Sequence, residues 1–256
     1  MNNNQPCKSR GKEEKILKNT RRVTTFIGAM ILAGLGTAGF AGFASHTLHM
    51  PLALAILALA AATSKMKVKL PGIDGTMSVN LPFLLTAAVS LSSAEAVLVA
   101  CISTAVQCWP RKDAKFKPQQ MAFNLSMMAF ASSTASLMFH AQSFGAWNSG
   151  PLGIALAAAT LFLGQTAPVA AIVAFSGGKS AISTWLDLAQ LSFPYYVVGA
   201  GLTFMVEAVS SHLGWGLALA VFPVMYGIHR SYRMYFGRMA ENSQPQVMVR
   251  SAGAGA

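Results

Sequence analysis

The chain has 256 residues, of which 54% are hydrophobic and 11% charged, against about 25% charged in an ordinary soluble domain; too little polar surface is left to coat a water-soluble globule. Its charge is one-sided, 19 Lys and Arg against 8 Asp and Glu for a net of +11, which on a soluble protein would suggest nucleic acid or an acidic partner. A transmembrane helix takes roughly 20 apolar residues, so the length holds up to eight spans and leaves no room for a soluble catalytic domain beside them.

Residues 1–22 are polar and basic, with Lys8, Arg10, Lys12, Lys15, Lys18, Arg21 and Arg22, and read as a short mobile arm on the cytoplasmic side. The first apolar run, Val23 to Ala44, is 22 residues without a charge, longer than the roughly 7–15 of a signal-peptide core, and is expected to stay as an anchor. A second run covers Leu48 to Ser64. A connector follows with Lys65, Lys67 and Lys69, then Leu70, Pro71, Gly72, Ile73, Asp74 and Gly75. Val79 to Pro110 is then apolar for 32 residues with Glu95 as its only charge. That is too long for one straight span and short for two, so a turn at Ser90, Ser92, Ser93 and Glu95 is expected to fold it into two short helices or a re-entrant hairpin. Arg111, Lys112, Asp113, Lys115, Lys117 and Pro118 make a second basic connector. Four runs remain: Met121 to Phe139, Pro151 to Phe175 with Pro168, Trp185 to Val206 with Pro194, and Ser211 to His229 with Pro223. The tail from Arg230 is basic, then rich in Gln, Ser, Gly and Ala. The expected fold is thus an all-α membrane protein of about eight transmembrane segments, or six plus a re-entrant hairpin at 79–110. Its membrane domain covers 23–229 and its tails 1–22 and 230–256.

Placing the amino terminus in the cytoplasm puts all 19 Lys and Arg on inner segments and none on the short outer ones, as the positive-inside rule asks. Both termini are then cytoplasmic. A single crossing at 79–110 would move Arg111 to Lys117 outside, so the chain must enter and return on one side. Small residues four apart, Ala29, Ala33 and Thr37, then Gly34, Ala38 and Gly42, and Ala58 with Ala62, read as helix contacts. Trp109, Trp147, Trp185 and Trp215 fall near span ends, where an interfacial belt lies.

Each candidate for chemistry has a plainer alternative. Gly177, Gly178, Lys179 and Ser180 look like the end of a phosphate loop, but Val173 stands where its first Gly is needed and the preceding run is a helix, not a strand. His46, His49, His140 and His212 share the outer side with Glu95 and Glu207, and His46 with His49, three apart, would suit a metal if they share a helical face; as amphipathic residues they also suit an interface. Glu95 and Asp187 both lie where they can reach one. Asn80 and Asn124 are amides that can tie helices together or meet a ligand. Cys7, Cys101 and Cys108 match no zinc or disulfide framework and read as small packing residues. No metalloprotease, nucleophile-elbow or phosphotransferase motif occurs, and no enzyme activity, cofactor or nucleic-acid partner is expected.

Leu70, Pro71, Gly72, Ser78, Phe83, the Ala94, Glu95, Ala96 turn, Phe123 with Asn124, the Trp185 to Tyr196 stretch with Gly199 and Ala200, and Tyr232, Arg233 and Tyr235 carry a resemblance. Over residues from about 25 to 238 the chain resembles the multi-helix membrane module that precedes GGDEF or HD-GYP output domains in bacterial cyclic-di-GMP signalling proteins. The resemblance implies a sensory or anchoring module of the bacterial inner membrane. Such modules continue into a signalling helix and catalytic domain, whereas this sequence stops soon after Tyr235, so a free-standing version or an output supplied by a cytoplasmic signalling partner is expected. The reading is a non-enzymatic sensory or scaffolding module, set in a lipid bilayer, with a homo-oligomer possible. Its ligand is expected near Pro71, Gly72, Asp74, Ser78, Asn80 and Asn124, where broken backbone meets the bundle. The alternative is a small-molecule transporter or its substrate-binding subunit.

Overall fold

The computed structural model of the protein describes residues 6–44, 49–69, 76–78, 80–110, 116–141, 150–177 and 180–213, together with 223, 224, 226, 227, 230, 231 and 234. Within them run α1 (Pro6–Ala44), α2 (Met50–Ser64), β1 (Lys67–Lys69), β2 (Thr76–Ser78), α3 (Leu81–Ser90), α4 (Ser93–Cys108), α5 (Pro118–His140), α6 (Pro151–Gly177) and α7 (Ala181–Leu213). The helical expectation holds. The connector adds one small antiparallel sheet, with Lys67 opposite Ser78, Val68 opposite Met77 and Lys69 opposite Thr76.

Local sequence explains most helix starts. Pro51, Pro82 and Pro118 stand in the first turns of α2, α3 and α5, where the missing N–H costs nothing and the fixed φ already suits a helix. Ser92 caps α4 in a reciprocal box with Glu95. The 79–110 stretch does divide, at Leu91 and Ser92, into helices of 10 and 16 residues. At 1.5 Å per residue these reach about 15 and 24 Å, short of the ~30 Å of bilayer hydrocarbon.

One expectation is corrected and another is met in part. The stretch read as a mobile arm is helical from Pro6, continuous with the first apolar run in one 39-residue helix; Lys, Glu, Leu and Arg are good helix formers and no Pro interrupts them after Pro6. Among the described residues two helices are long and apolar enough to cross a membrane, Thr20–Phe43 within α1 and Pro151–Gly177, while α2, α3 and α4 are shorter apolar helices. The run expected from Ser211 begins inside α7, which extends to Leu213, and residues 214–222 lie outside the described ones.

α3 is the centre. Eight of its ten residues are buried, and it packs on α2, α4, α5, α6 and α7; a helix apolar all round belongs inside. α5 runs beside it, against α1, α4 and α6, and α7 closes the bundle on α6. Glycine sets two of these approaches. A Cβ on Gly34 would lie 2.5 Å from the Ser126 carbonyl oxygen, and one on Gly164 would lie 2.8 Å from the Ala131 Cβ. Of the small-residue stripes, the one holding Gly34 and Ala38 faces the bundle, whereas Ala58 and Ala62 of α2 face outward. The outer faces remain apolar, with Leu32 74% and Phe43 87% exposed on α1 and Ile182 72% exposed on α7. Such a continuous apolar surface calls for a covering phase.

Candidate functional site

Polar side chains in the described bundle gather along α7 and at the α3–α4 turn. α7 carries Tyr195, Gly199, Thr203 and Glu207 at steps of four, and α3 carries Pro82, Thr86 and Ser90 at the same step; residues so spaced share a helix face. The faces meet. The Leu81 N–H donates to Tyr195 Oη at 3.1 Å, satisfying one of the first-turn donors that a helix leaves open. Thr203 Oγ1 donates to the Pro82 carbonyl at 3.4 Å and lies 3.5 Å from Thr86 Oγ1. Ser90 Oγ donates to Glu207 Oε1. Gly199 leaves space for Leu81, whose Cδ2 would lie 3.1 Å from a Cβ there. Contact order rises together on both helices, so α3 and α7 run parallel, joined by a polar seam.

The seam ends at the turn. Glu95 is 2% exposed, enclosed by the protein. Its Oε2 accepts from Ser92 N at 3.1 Å and from Ser92 Oγ at 2.7 Å, while its Oε1 accepts from His49 N at 2.5 Å. His49 is the N-cap of α2. The carboxylate therefore joins the amino ends of two helices, and the positive ends of both dipoles offset its charge. Nearby, Ser93 Oγ lies 3.0 Å from Ser136 Oγ, and His140 Nδ1 donates to the Ser136 carbonyl at 2.8 Å. Five helices thus meet at one end of the bundle.

The opposite half holds other ties. Asn124 Nδ2 donates to Cys108 Sγ at 3.3 Å, linking α5 to α4. Trp185 Nε1 donates to Thr166 Oγ1 at 3.1 Å and Tyr196 Oη to Gln165 Oε1 at 2.7 Å, linking α7 to α6. Phe26 packs its ring against Phe123 and Phe175, drawing together α1, α5 and α6.

The expected site residues are distributed differently. Pro71, Gly72 and Asp74 lie outside the described residues, as does His46. Ser78 ends β2, paired with Lys67. Asn80 is 4% exposed, and its carbonyl accepts from Phe83 N and Leu84 N as the N-cap of α3. Asn124 makes the helix-tying contact that the plainer alternative describes. The metal pairing needs His49 inside the first turn of α2, but the helix begins at Met50, and it is the His49 backbone that meets Glu95. Among the described residues no three His, Cys, Asp or Glu side chains group so as to hold a metal ion. Trp185 packs between helices, whereas Trp109 is 69% exposed. The seam itself was missed, although its four-residue spacing is visible in the sequence.

Ser90 and Ser93 and the carboxylates of Glu95 and Glu207 join one helix to another, whereas Ser103, Ser126, Ser132, Ser133 and Ser192 bond carbonyls of their own helices. The family model for MASE9 matches residues 38–235, more than half of the chain. No curated protein and no solved structure matches the chain.

Proposed function

The chain belongs to the MASE9 family, a membrane-associated sensory module, and we propose that it is a non-enzymatic, multi-pass sensor of the bacterial inner membrane that passes its signal along the α3–α7 seam. The observation that carries this is the seam itself, which joins the buried central helix to the helix leading into the carboxyl-terminal part of the chain. Interhelical hydrogen bonds within membranes average about 0.6 kcal/mol each. Three or four of them amount to about 2 kcal/mol, inside the roughly 1–3 kcal/mol of ordinary coupling between sites. A ligand or partner of moderate affinity can shift such a joint.

The proposed topology has both termini cytoplasmic, with six crossings and a re-entrant α3–α4 hairpin. Two independent patterns support it. All 19 cations fall on inner segments. In addition, hydrogen bonds join residues assigned to the outer side to one another: His49 to Glu95, Ser90 to Glu207, and Ser93 to Ser136, which leads to His140. The output partner is a cytoplasmic signalling protein, the assembly a homo-oligomer, and no nucleic acid takes part.

Two measurements test this. With Cys7, Cys101 and Cys108 replaced by Ala, Ser143→Cys should react with an impermeant maleimide on intact spheroplasts, and Ser180→Cys only after permeabilisation; reversed labelling overturns the orientation. In cells carrying a cyclic-di-GMP reporter, Ser90→Ala and Glu207→Gln should shift the output without changing protein level. The purified chain should neither make cyclic-di-GMP from GTP nor hydrolyse it, and turnover of either kind would refute the non-enzymatic reading.

A further inference from the structure

Gln165 is the feature the seam leaves unused. It lies one residue from the midpoint of the 27-residue α6 (Pro151–Gly177), near the centre of any bilayer that helix crosses. Its Oε1 accepts from Tyr196 Oη at 2.7 Å. Its Nε2 is buried with no hydrogen-bond partner, and a buried amide donor left unsatisfied is costly where no water competes. If the amide is turned end for end, its carbonyl becomes the unsatisfied group instead; the neighbouring phenol can serve only one end.

The surroundings are aromatic. Phe162 lies with its ring centroid 4.9 Å from that of Tyr196, 6.2 Å from Phe193 and 6.5 Å from Trp185, the first two edge-on. Phe193 is 58% exposed, so the aromatic cluster reaches the outer surface of the bundle, which meets hydrocarbon where α6 crosses the bilayer.

We propose that the α6–α7 aromatic face binds an uncharged, planar, lipid-dissolved carbonyl compound, whose oxygen accepts from Gln165 Nε2 and whose ring packs among Phe162, Trp185, Phe193 and Tyr196. Depth selects the source of the carbonyl. Ester carbonyls of phospholipids sit at the edge of the ~30 Å hydrocarbon core, about 15 Å from the helix midpoint, so an acyl lipid does not reach Gln165 with that group. A free ring ketone or quinone does. The aromatic edges favour a flat ring over a flexible chain.

This deepens the sensor reading by naming its ligand class, and it rests on α6 crossing the bilayer. The test uses the full chain in phosphatidylcholine and phosphatidylglycerol nanodiscs, with menadione as probe and 2-methylnaphthalene as the same ring frame without carbonyls. Menadione should quench tryptophan emission with a saturable component that disappears in Trp185→Phe, over a linear background from partitioning. 2-Methylnaphthalene should show no saturation. Gln165→Leu should weaken menadione about tenfold, as loss of one neutral hydrogen bond implies. Should that variant unfold, Gln165→Met, of nearly the same length but without a donor, serves instead and should weaken menadione to the same extent. Ether-linked lipids, which lack ester carbonyls, should leave the affinity unchanged.

Linear quenching alone, equal saturation by the hydrocarbon, or equal affinity in folded Gln165→Leu overturns the proposal. Tighter menadione binding in ether lipid also overturns it, because the lipid ester would then be the occupant. Failure here with the maleimide topology upheld removes the ligand and leaves the sensor reading standing. Reversed labelling would remove that reading while menadione saturation still reports the site.

Discussion

Replacing Gly34 with Ala tests the bundle at its tightest approach. A Cβ there meets three backbone atoms of Ser126, the oxygen at 2.5 Å, Cα at 2.9 Å and C at 3.0 Å. Backbone cannot turn aside as a side-chain tip can. Restoring ordinary contact, which begins near 3.4 Å, requires α1 and α5 to part by about 1 Å, and a gap of that size forfeits a quarter to a half of each affected dispersion contact. Overpacking of this kind costs about 1–3 kcal/mol, against a helix-propensity gain of about 1 kcal/mol for Ala over Gly. The expected net loss is about 0–2 kcal/mol. Gly36 and Gly39 lie on the same helix with nothing within 4 Å of a built Cβ, so Ala at either should be neutral or should stabilise by up to about 1 kcal/mol. Reversible unfolding in mixed micelles by sodium dodecyl sulfate titration, followed by circular dichroism, measures both. A Gly34→Ala midpoint equal to or above that of Gly36→Ala would refute the close α1–α5 approach and the packing built on it.

Three further outcomes follow from the polar ties. Glu95→Ala removes the acceptor for His49 N–H and Ser92 N–H in a buried place and should cost about 2–4 kcal/mol. Glu95→Gln, which keeps one oxygen acceptor, should cost roughly half as much; equal losses would mean that charge rather than hydrogen-bond acceptance holds the turn. Ser90→Ala and Glu207→Gln should be non-additive, with a coupling of about 0.5 kcal/mol or more in a double-mutant cycle, and full additivity would deny their contact. Gly164→Ala should destabilise more than Gly199→Ala, because the former meets the Ala131 Cβ at 2.8 Å and the latter a leucine side-chain tip at 3.1 Å; the reverse order in the same titration would count against the α5–α6 packing.

Much of the fold is legible from charge alone. One carboxylate in 32 apolar residues, with basic clusters on both sides, implies that 79–110 turns back, and Leu91 and Ser92 make that turn. Helix extents for 121–139 and 151–175 lie within a few residues of α5 and α6. The site is less legible, for a physical reason. In membrane helices Ser, Thr and Gly serve equally as packing residues and as interhelical ties, so composition does not separate Thr203, which bonds the Pro82 carbonyl, from Thr134, which bonds only its own helix. The spacing of Tyr195, Gly199, Thr203 and Glu207 gives a direction for the face but not its partner. Asn124 and the Pro71 connector stand out instead, because amides and broken backbone are conspicuous in an apolar sequence. The burial of Glu95 is not legible, because two converging helix ends, unlike a lysine, leave no mark in composition.

The lengths of α2 and α3 carry one more consequence. Both meet the turn at the same end, through His49 and Ser90, and from there they extend only about 22 Å and 15 Å. Both helices therefore stop short of the roughly 30 Å hydrocarbon core of a bilayer, α2 by about 8 Å and α3 by about 15 Å. Between the far ends of these helices β1 and β2 pair three residues with three, so backbone amides and carbonyls find partners in each other where helix is absent. The bundle is thereby asymmetric along its length: regular helix and its polar ties gather at the turn end, and a strand pair follows α2 and precedes α3 at the other.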